Sequence, residues 1–352
     1  MTGLHVAVVV PCYNEVESLQ ATCASLGFGT GLEPPTLADL ILIDNDSEDG
    51  TLALAKAIAS ACPPGTVHVG SESERGYVPP RRAGNRLAQQ LAQYRSLAPG
   101  RVLVLQADAD TTYGAGYIDA MRAATEATEP GTMVQAIMLH PPDFLETFAS
   151  YVELCERAER GIEWLLQEDP EQVVVDDKAV GYRLSDYLRW GGHVRECFRS
   201  GEEMHAETTR LYMKARTAGA SLQLVEDASA AHSVRRVLTE PAVDFATSGF
   251  PREASWVAQW RSLSSSIVTI DDLLKPSNRA LTELGADLRR RHIVALFGLL
   301  PLHVARTLQL PSRFDSDPRL PQVNLPRREP DALRVAPALF IEDVVQALNL
   351  FW

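Results

Sequence analysis

Cysteine is scarce and scattered in this sequence. Cys12, Cys23, Cys62, Cys155 and Cys197 are odd in number and include no Cys-x-x-Cys pair. That excludes a disulfide framework and a cysteine zinc site, and it suits a reducing cytosol. No apolar run reaches membrane-spanning length. The longest beyond the N-terminal segment, IVALFGLLPLHVA at 293–305, is too short for a bilayer and holds a proline. Basic residues are outnumbered, 33 Lys and Arg against 46 Asp and Glu, for a formal net charge of −13. This balance argues against a nucleic-acid coat or a broad basic membrane patch. It leaves room for a local basic pocket, for which VPPRRAGNR at 78–86 is the candidate. The N-terminal MTGLHVAVVVPCYNE lacks the positive region of a signal peptide, so its apolar run reads as a first strand.

What is present fits a soluble globular protein. The 352 residues are 45% hydrophobic and 22% charged, enough for one large domain or two ordinary ones. Up to about residue 130, short apolar runs alternate with helical segments. LHVAVVV (4–10) precedes EVESLQATCASL (15–26), DLILID (39–44) precedes TLALAKAIASA (51–61), TVHVG (66–70) precedes RRAGNRLAQQLAQY (81–94), and RVLVLQ (101–106) follows. Continuous β-branched runs between helices predict a parallel sheet covered on both faces, hence a doubly wound α/β domain. The next hundred residues are mixed. A long helix is expected over 143–167, then VVV (173–175), a second helix within GEEMHAETTRLYMKARTAG (201–219) that Gly219 stops, and a strand SLQLVE (221–226). Beyond about 240 only helices are expected. A proline-rich connector at 310–331 leads to a last amphipathic helix with Ile341, Val344, Val345 and Leu348 on one face.

Ligands of such sheets bind beyond the carboxyl ends of the strands. The polar stretches PCYNE, DNDSEDGT and ADAD all lie there. In VLVLQADADTTY, Asp108 and Asp110 follow a buried strand with one residue between them. A pair of this kind is either a solvated turn or a site for a hard cation. In an extended segment alternate side chains point the same way, and Mg²⁺ or Mn²⁺ usually takes one or two carboxylates plus substrate phosphates. Asp44 and Asn45 are placed to hydrogen-bond a nucleotide base or ribose, or else they merely form a polar loop in which Ser47 or Asp49 caps the next helix. His232 is either a further metal ligand or a structural histidine, and Asp176 and Asp177 either meet an acceptor or form a loop. Trp190, in LRWGGH, either stacks on a sugar or fills the core.

The ordered set VVVPCYNE, ILIDNDSEDGT, RGYVPPRRAGNRLA, VLQADAD, LRWGGH and GEE resembles the family 2 glycosyltransferases, inverting enzymes of the GT-A fold, over about residues 5–236. The resemblance implies a catalytic domain over 1–240, with a nucleotide-binding half (1–130) and an acceptor half (131–240), followed by a helical extension over 241–352. It implies a nucleotide-diphosphate sugar donor, a hydroxyl acceptor that is a saccharide or lipid-linked, and Mg²⁺ or Mn²⁺. Carried over by position, Pro11, Tyr13, Glu15, Asp44 and Asn45 would line the nucleotide site. Arg81 would face the diphosphate, with Arg82 where the family has asparagine. Apart from the resemblance, Arg235 or Arg236 could close on the diphosphate, since guanidinium suits phosphate oxygens. Asp108 would bind ribose and metal and Asp110 the metal directly, while Glu203, beside Glu202, would be the base. Asn45 stands where many relatives have aspartate, and GEE where they have GED.

Two other functions compete. A nucleotidyltransferase usually carries glycine and lysine in the loop after its first strand, and PCYNEVES has neither. A non-catalytic sugar-nucleotide binder would account for the departures at Asn45 and Glu203. The expected setting is cytoplasmic polysaccharide or glycolipid synthesis, free or peripheral at the inner face of the membrane. The C-terminal helices would pack on the catalytic domain, form a homodimer or rest on lipid; the last helix has few basic residues, which counts against a strong anionic-lipid anchor.

Overall fold

The structure, a computed structural model, describes residues 3–167, 169–198, 201–248 and 255–348. The apolar runs form strands β1 (His5–Cys12), β2 (Ala38–Asp44), β3 (Val67–Ser71) and β4 (Val102–Ala107). Helices α1 (Leu19–Ser25), α2 (Thr51–Ala61) and α3 (Val78–Tyr94) connect them in that order, and α4 (Tyr117–Ala127) follows. The remaining strands are β5 (Thr112–Tyr113), β6 (Thr132–Leu139), β7 (Ala179–Arg183) and β8 (Ser221–Ala231). Among the described residues these eight strands make one sheet in the order β3-β2-β1-β4-β7-β6-β8-β5. Pairing is parallel from β3 to β4, antiparallel on both sides of β7, parallel between β6 and β8, and antiparallel at β5.

Val6, Val8, Val9 and Val10 of β1 are all fully buried. Consecutive buried side chains point to opposite faces, so both faces of the sheet are covered, as the continuous apolar runs predict. Helix α3 lies so close to β1 that a Cβ on Gly84 would sit 2.2 Å from Val9 Cγ1. This approach fixes the N-terminal end of α3, and with it Arg81, above the strand ends.

The chain forms two compact units. The first comprises Met1–Leu139, Val175–Arg195 and Glu207–Ser233 and contains the whole sheet. The second comprises His140–Val174, Glu196–Ala206 and Val234–Trp352. Its core gathers Phe144, Tyr151, Phe245, Trp256, Trp260 and Leu288. Trp260 Nε1 donates to Ala242 O at 2.8 Å, and Arg289 joins Glu159 and Phe245 O. The last amphipathic helix is Ala338–Ala347. Its Ile341 and Val344 are buried, and Val345 and Leu348 pack on the second core. Asp343 binds His303 at 2.9 Å and Arg328 at 2.7 Å, which ties the last helix to the connector. No described helix is long and apolar enough to cross a membrane. The five cysteines form no disulfide.

Three expectations change in detail. The helix expected over 143–167 is two helices, Pro142–Thr147 and Ala149–Glu159. It breaks at Phe148 (φ −117°, ψ 36°) and ends before Gly161, whose φ is +90°. The helix within 201–219 occupies only Glu207–Arg216, because Ala206 adopts φ +64° and residues 201–206 take another course. Strands β6 and β7 were not anticipated. VVV at 173–175 is buried but is not a strand, and the chain pairs with β4 a few residues later.

Candidate active site

Register brings the parallel strands to a common carboxyl edge. Cys12 pairs with Asp44, Asp44 with Ser71, and Val9 with Gln106. Asp108 therefore leaves the sheet beside PCYNE and DNDSEDG. Its turn is pinned from several sides. Tyr113 Oη accepts the Asp108 N–H at 3.0 Å and donates to Lys178 O at 2.7 Å, while Thr22 Oγ1 donates to Ala109 O at 2.8 Å. The pair Asp108–Asp110 is thus a built turn, not a loose one. Strand β5 pairs Thr112 with Ala231, so the chain entering β5 from Asp110 and the chain leaving β8 through His232 run side by side.

Arg81 is the centre of the site. It is 4% exposed. Its Nε donates to Glu207 Oε1 at 2.5 Å, one terminal nitrogen to Asp108 Oδ1 at 2.7 Å, and the other to Gln106 Oε1 at 3.3 Å. Asp177 lies 3.6 Å away. A closed circuit holds the guanidinium in place: Gln106 Nε2 donates to Tyr182 Oη, Tyr182 Oη to Asn85 Oδ1, and Asn85 Nδ2 to Arg81 O. Burial disfavours the charge on Arg81, but Asp108, Glu207 and Asp177 outweigh it and raise its pKa. Asp177, which could have been an ordinary loop residue, belongs to this cluster.

Glu207 is the functional candidate that sequence reasoning passed over. It opens the helix Glu207–Arg216 and is 1% exposed. Burial, then the negative charge of Asp177, push its carboxyl up to about 7, against the pull of Arg81. Its Oε2 has no hydrogen-bond partner among the described residues. The neighbouring Lys178 is raised by Asp176, Asp177 and Asp108 despite its burial, and it binds Asp176 at 3.1 Å.

Asn45 does something the sequence did not suggest. Its Nδ2 donates to Glu72 O and Glu74 O at 2.9 and 2.7 Å, and its Oδ1 accepts from Gly76 N at 3.1 Å. The amide thus clamps the loop after β3, which needs a donor and an acceptor on one side chain. Asn45→Asp should therefore destabilise the fold by about 1–3 kcal/mol, because both carbonyls lose their donor and meet a carboxylate. Chemical denaturation measures this; unchanged stability would contradict the clamp. Arg75, carried on the same loop, bonds Asp46 at 2.9 Å and Glu48, donates to Tyr13 Oη at 3.2 Å, and lies 5.1 Å from the Tyr13 ring centroid.

Of the other expected residues, Asp44 is buried, with Oδ2 accepting Ser47 N–H at 3.4 Å and Oδ1 without a hydrogen-bond partner among the described residues. Glu15 accepts from Ser18 Oγ at 2.7 Å, and its N–H donates to Thr51 Oγ1 at 2.7 Å. Pro11 sits in β1 opposite Ile43. Trp190 is buried edge-on to Tyr182 and fills the core. Glu202, Glu203 and Arg235 belong to the second unit. Glu203 is buried and bridges Cys197 by backbone pairing, and Glu202 and Arg235 are exposed.

Around Arg81 lie the carboxylates of Asp108, Asp177 and Glu207, and Asp176 joins them through Lys178. Hard oxygen donors in excess suit a divalent cation. Among the described residues no three His, Cys, Asp or Glu side chains form a metal cluster. A divalent cation held by one or two carboxylates leaves its other positions to phosphate oxygens and water, the usual arrangement for Mg²⁺.

Residues 7–152 match the sequence profile described as Glycosyl transferase family 2. No curated protein matches the chain. Among solved structures, the mannosyltransferase PcManGT from Pyrobaculum calidifontis, in complex with GDP-Man and Mn²⁺, is similar at 15% identity and a TM-score of 0.48, covering 100% of this chain and 82% of that one. TarS 1–349 from S. aureus, in complex with UDP, is similar at 14% identity and a TM-score of 0.44, covering 86% of both.

Proposed function

We propose, from the match of residues 7–152 to the Glycosyl transferase family 2 profile, that the protein is a glycosyltransferase that inverts the anomeric centre of a nucleotide-diphosphate sugar as it passes the sugar to an acceptor hydroxyl. The observation that carries the proposal is the junction at Arg81, where one buried guanidinium bonds the strand-end Asp108 and the helix-start Glu207 together. Such a fork suits diphosphate oxygens. Glu207 belongs where an acceptor proton must go.

In this reading Tyr13, Glu15 and Asp44 line the nucleoside side, and Asn45 acts indirectly by holding the 72–76 loop over it. Arg81 faces the diphosphate and stabilises the charge that develops on it as the glycosidic bond breaks. Asp108 and Asp110 would hold Mg²⁺ or Mn²⁺, which when bound supplies further charge neutralisation to the leaving group. His232, running beside Asp110, is a secondary candidate for the same ion.

An acceptor hydroxyl is a poor nucleophile at neutral pH until a positioned carboxylate accepts its proton. Glu207, with its carboxyl near 7 and one oxygen without a donor, matches that demand. Glu203, which the family resemblance implies as base, lies four residues earlier and is the control. Attack opposite the leaving diphosphate, on an oxocarbenium-like centre, inverts the configuration. Proton NMR of the first product formed from an α-linked donor tests this. A β-linked product is expected, and an α-linked one would rule out the single inverting displacement.

A further inference from the structure

A cavity lies beside the Arg81 cluster and shares Asn85 with the circuit that holds it. It is formed in the first unit between α3 and the segment 187–195 and has a volume of about 430 Å³. In a chain of net charge −13, its wall carries Arg82, Arg86 and Arg195 and no Asp or Glu among the described residues. None of Arg81, Asp108, Asp110 and Glu207 lines it.

Two of the arginines are held from the clamped loop, Arg86 by Glu72 at 3.3 Å and Arg195 by Glu74. Arg82 is different. It is exposed and has no hydrogen bond or ion pair among the described residues. The opposite wall is apolar and aromatic: Leu188 and Val194 are 43% and 36% exposed. Tyr187 stacks on Tyr182 with centroids 5.3 Å apart. His193, also on the wall, is buried, and burial together with Arg81, Arg210 and Lys214 keeps it neutral. Arg82 is therefore the wall cation whose charge no carboxylate of the described residues offsets.

Guanidinium groups suit phosphate oxygens through paired hydrogen bonds. The volume falls in the range of small-molecule sites and exceeds what a bare phosphate ion fills. We propose that this cavity, with Arg82 as its anion contact and Tyr187, Leu188 and Val194 as its apolar wall, binds a small organic phosphate of sugar-phosphate size. The binding stands independently of sugar transfer at the strand ends, so each can fail without the other.

Calorimetric titration of the full chain at low salt with glucose 6-phosphate, glucose and inorganic phosphate tests the site. Glucose 6-phosphate is expected to bind, glucose not at all, and inorganic phosphate more weakly than the sugar phosphate. Arg82→Ala should weaken the sugar phosphate by about tenfold, one hydrogen-bonded charge contact. Arg82→Glu should abolish it, while circular dichroism stays unchanged because the side chain is exposed and unpartnered. Binding should persist with saturating UDP or GDP and Mn²⁺. The proposal is overturned by no binding of glucose 6-phosphate, by equal affinity in both Arg82 variants, by glucose binding as tightly as its phosphate, or by displacement with a nucleotide diphosphate.

Discussion

Replacing Arg81 with alanine is expected to remove about 3–5 kcal/mol of folding stability, the cost of leaving buried charges without their partner. The guanidinium is almost wholly buried and touches Asp108, Glu207 and Gln106, with Asp177 close by. Its loss strands like charges in one small volume, and such charges raise one another's pKa and repel. Typical domains have only about 5–15 kcal/mol to lose, so the variant should be marginal at physiological temperature. Arg81→Lys should fall between the two, since an ammonium keeps the charge but lacks the fork that serves two carboxylates and an amide at once. Chemical denaturation of the three proteins gives the answer. A loss below about 1 kcal/mol in the alanine variant, the scale of a surface ion pair, would mean the cluster is not the electrostatic centre described here.

The second large effect concerns Glu207. If it takes the acceptor proton, transfer should rise with pH along a limb near 7, where its carboxyl ionises. Glu207→Gln should lower kcat by about 10²–10⁴, the usual worth of a general base, and should erase that limb. Glu203→Gln, the control, should leave the limb in place. Stability must move the other way. A carboxyl raised on folding binds its proton more tightly in the native state, so its contribution to stability declines as pH rises from the ordinary carboxylate range to about 7. Wild type should thus lose stability across that window relative to Glu207→Gln. An unchanged pH profile in the glutamine variant, with the limb lost instead in Glu203→Gln, would return the base to the residue that the family resemblance implies.

The parts that were legible in the sequence are those whose physics is local. Strands β1 to β4 declared themselves because strands buried on both faces read as unbroken apolar runs, and the intervening helices had the right spacing and length. Asp108 and Asp110 stood out because charge directly after a buried strand is conspicuous. Strand β7 did not: AVGYR is five residues long, contains a glycine and pairs antiparallel, so neither length nor alternation marked it. Gly181 is needed because a Cβ there would lie 2.6 Å from Leu105, a requirement set by another strand.

Glu207 was hidden for a related reason. ETTRLYMKAR looks like a solvated amphipathic helix, yet Glu207, Thr208, Thr209, Arg210 and Lys214 are all buried. Nothing in the composition says that a charged helix will be enclosed. The nearest signal was the acidic residue in the first turn, a common helix-start preference that carries no functional meaning by itself. Asn45 was visible as a loop residue, but its role as a clamp depends on the backbone of residues 72–76, which only the folded chain brings to it.

The most direct test of the account is calorimetric binding of UDP-, GDP- and dTDP-sugars, with and without Mn²⁺, to wild type and to Asp110→Ala. One donor class is expected to bind in the presence of the ion. In Asp110→Ala the ion-dependent part of that affinity should vanish, and the transfer rate should fall by about 10²–10³, the size of a lost electrostatic contact at a developing charge. Equal, metal-independent binding in both proteins, or no binding of any donor, would contradict the assignment of the strand-end carboxylates to a sugar-nucleotide site.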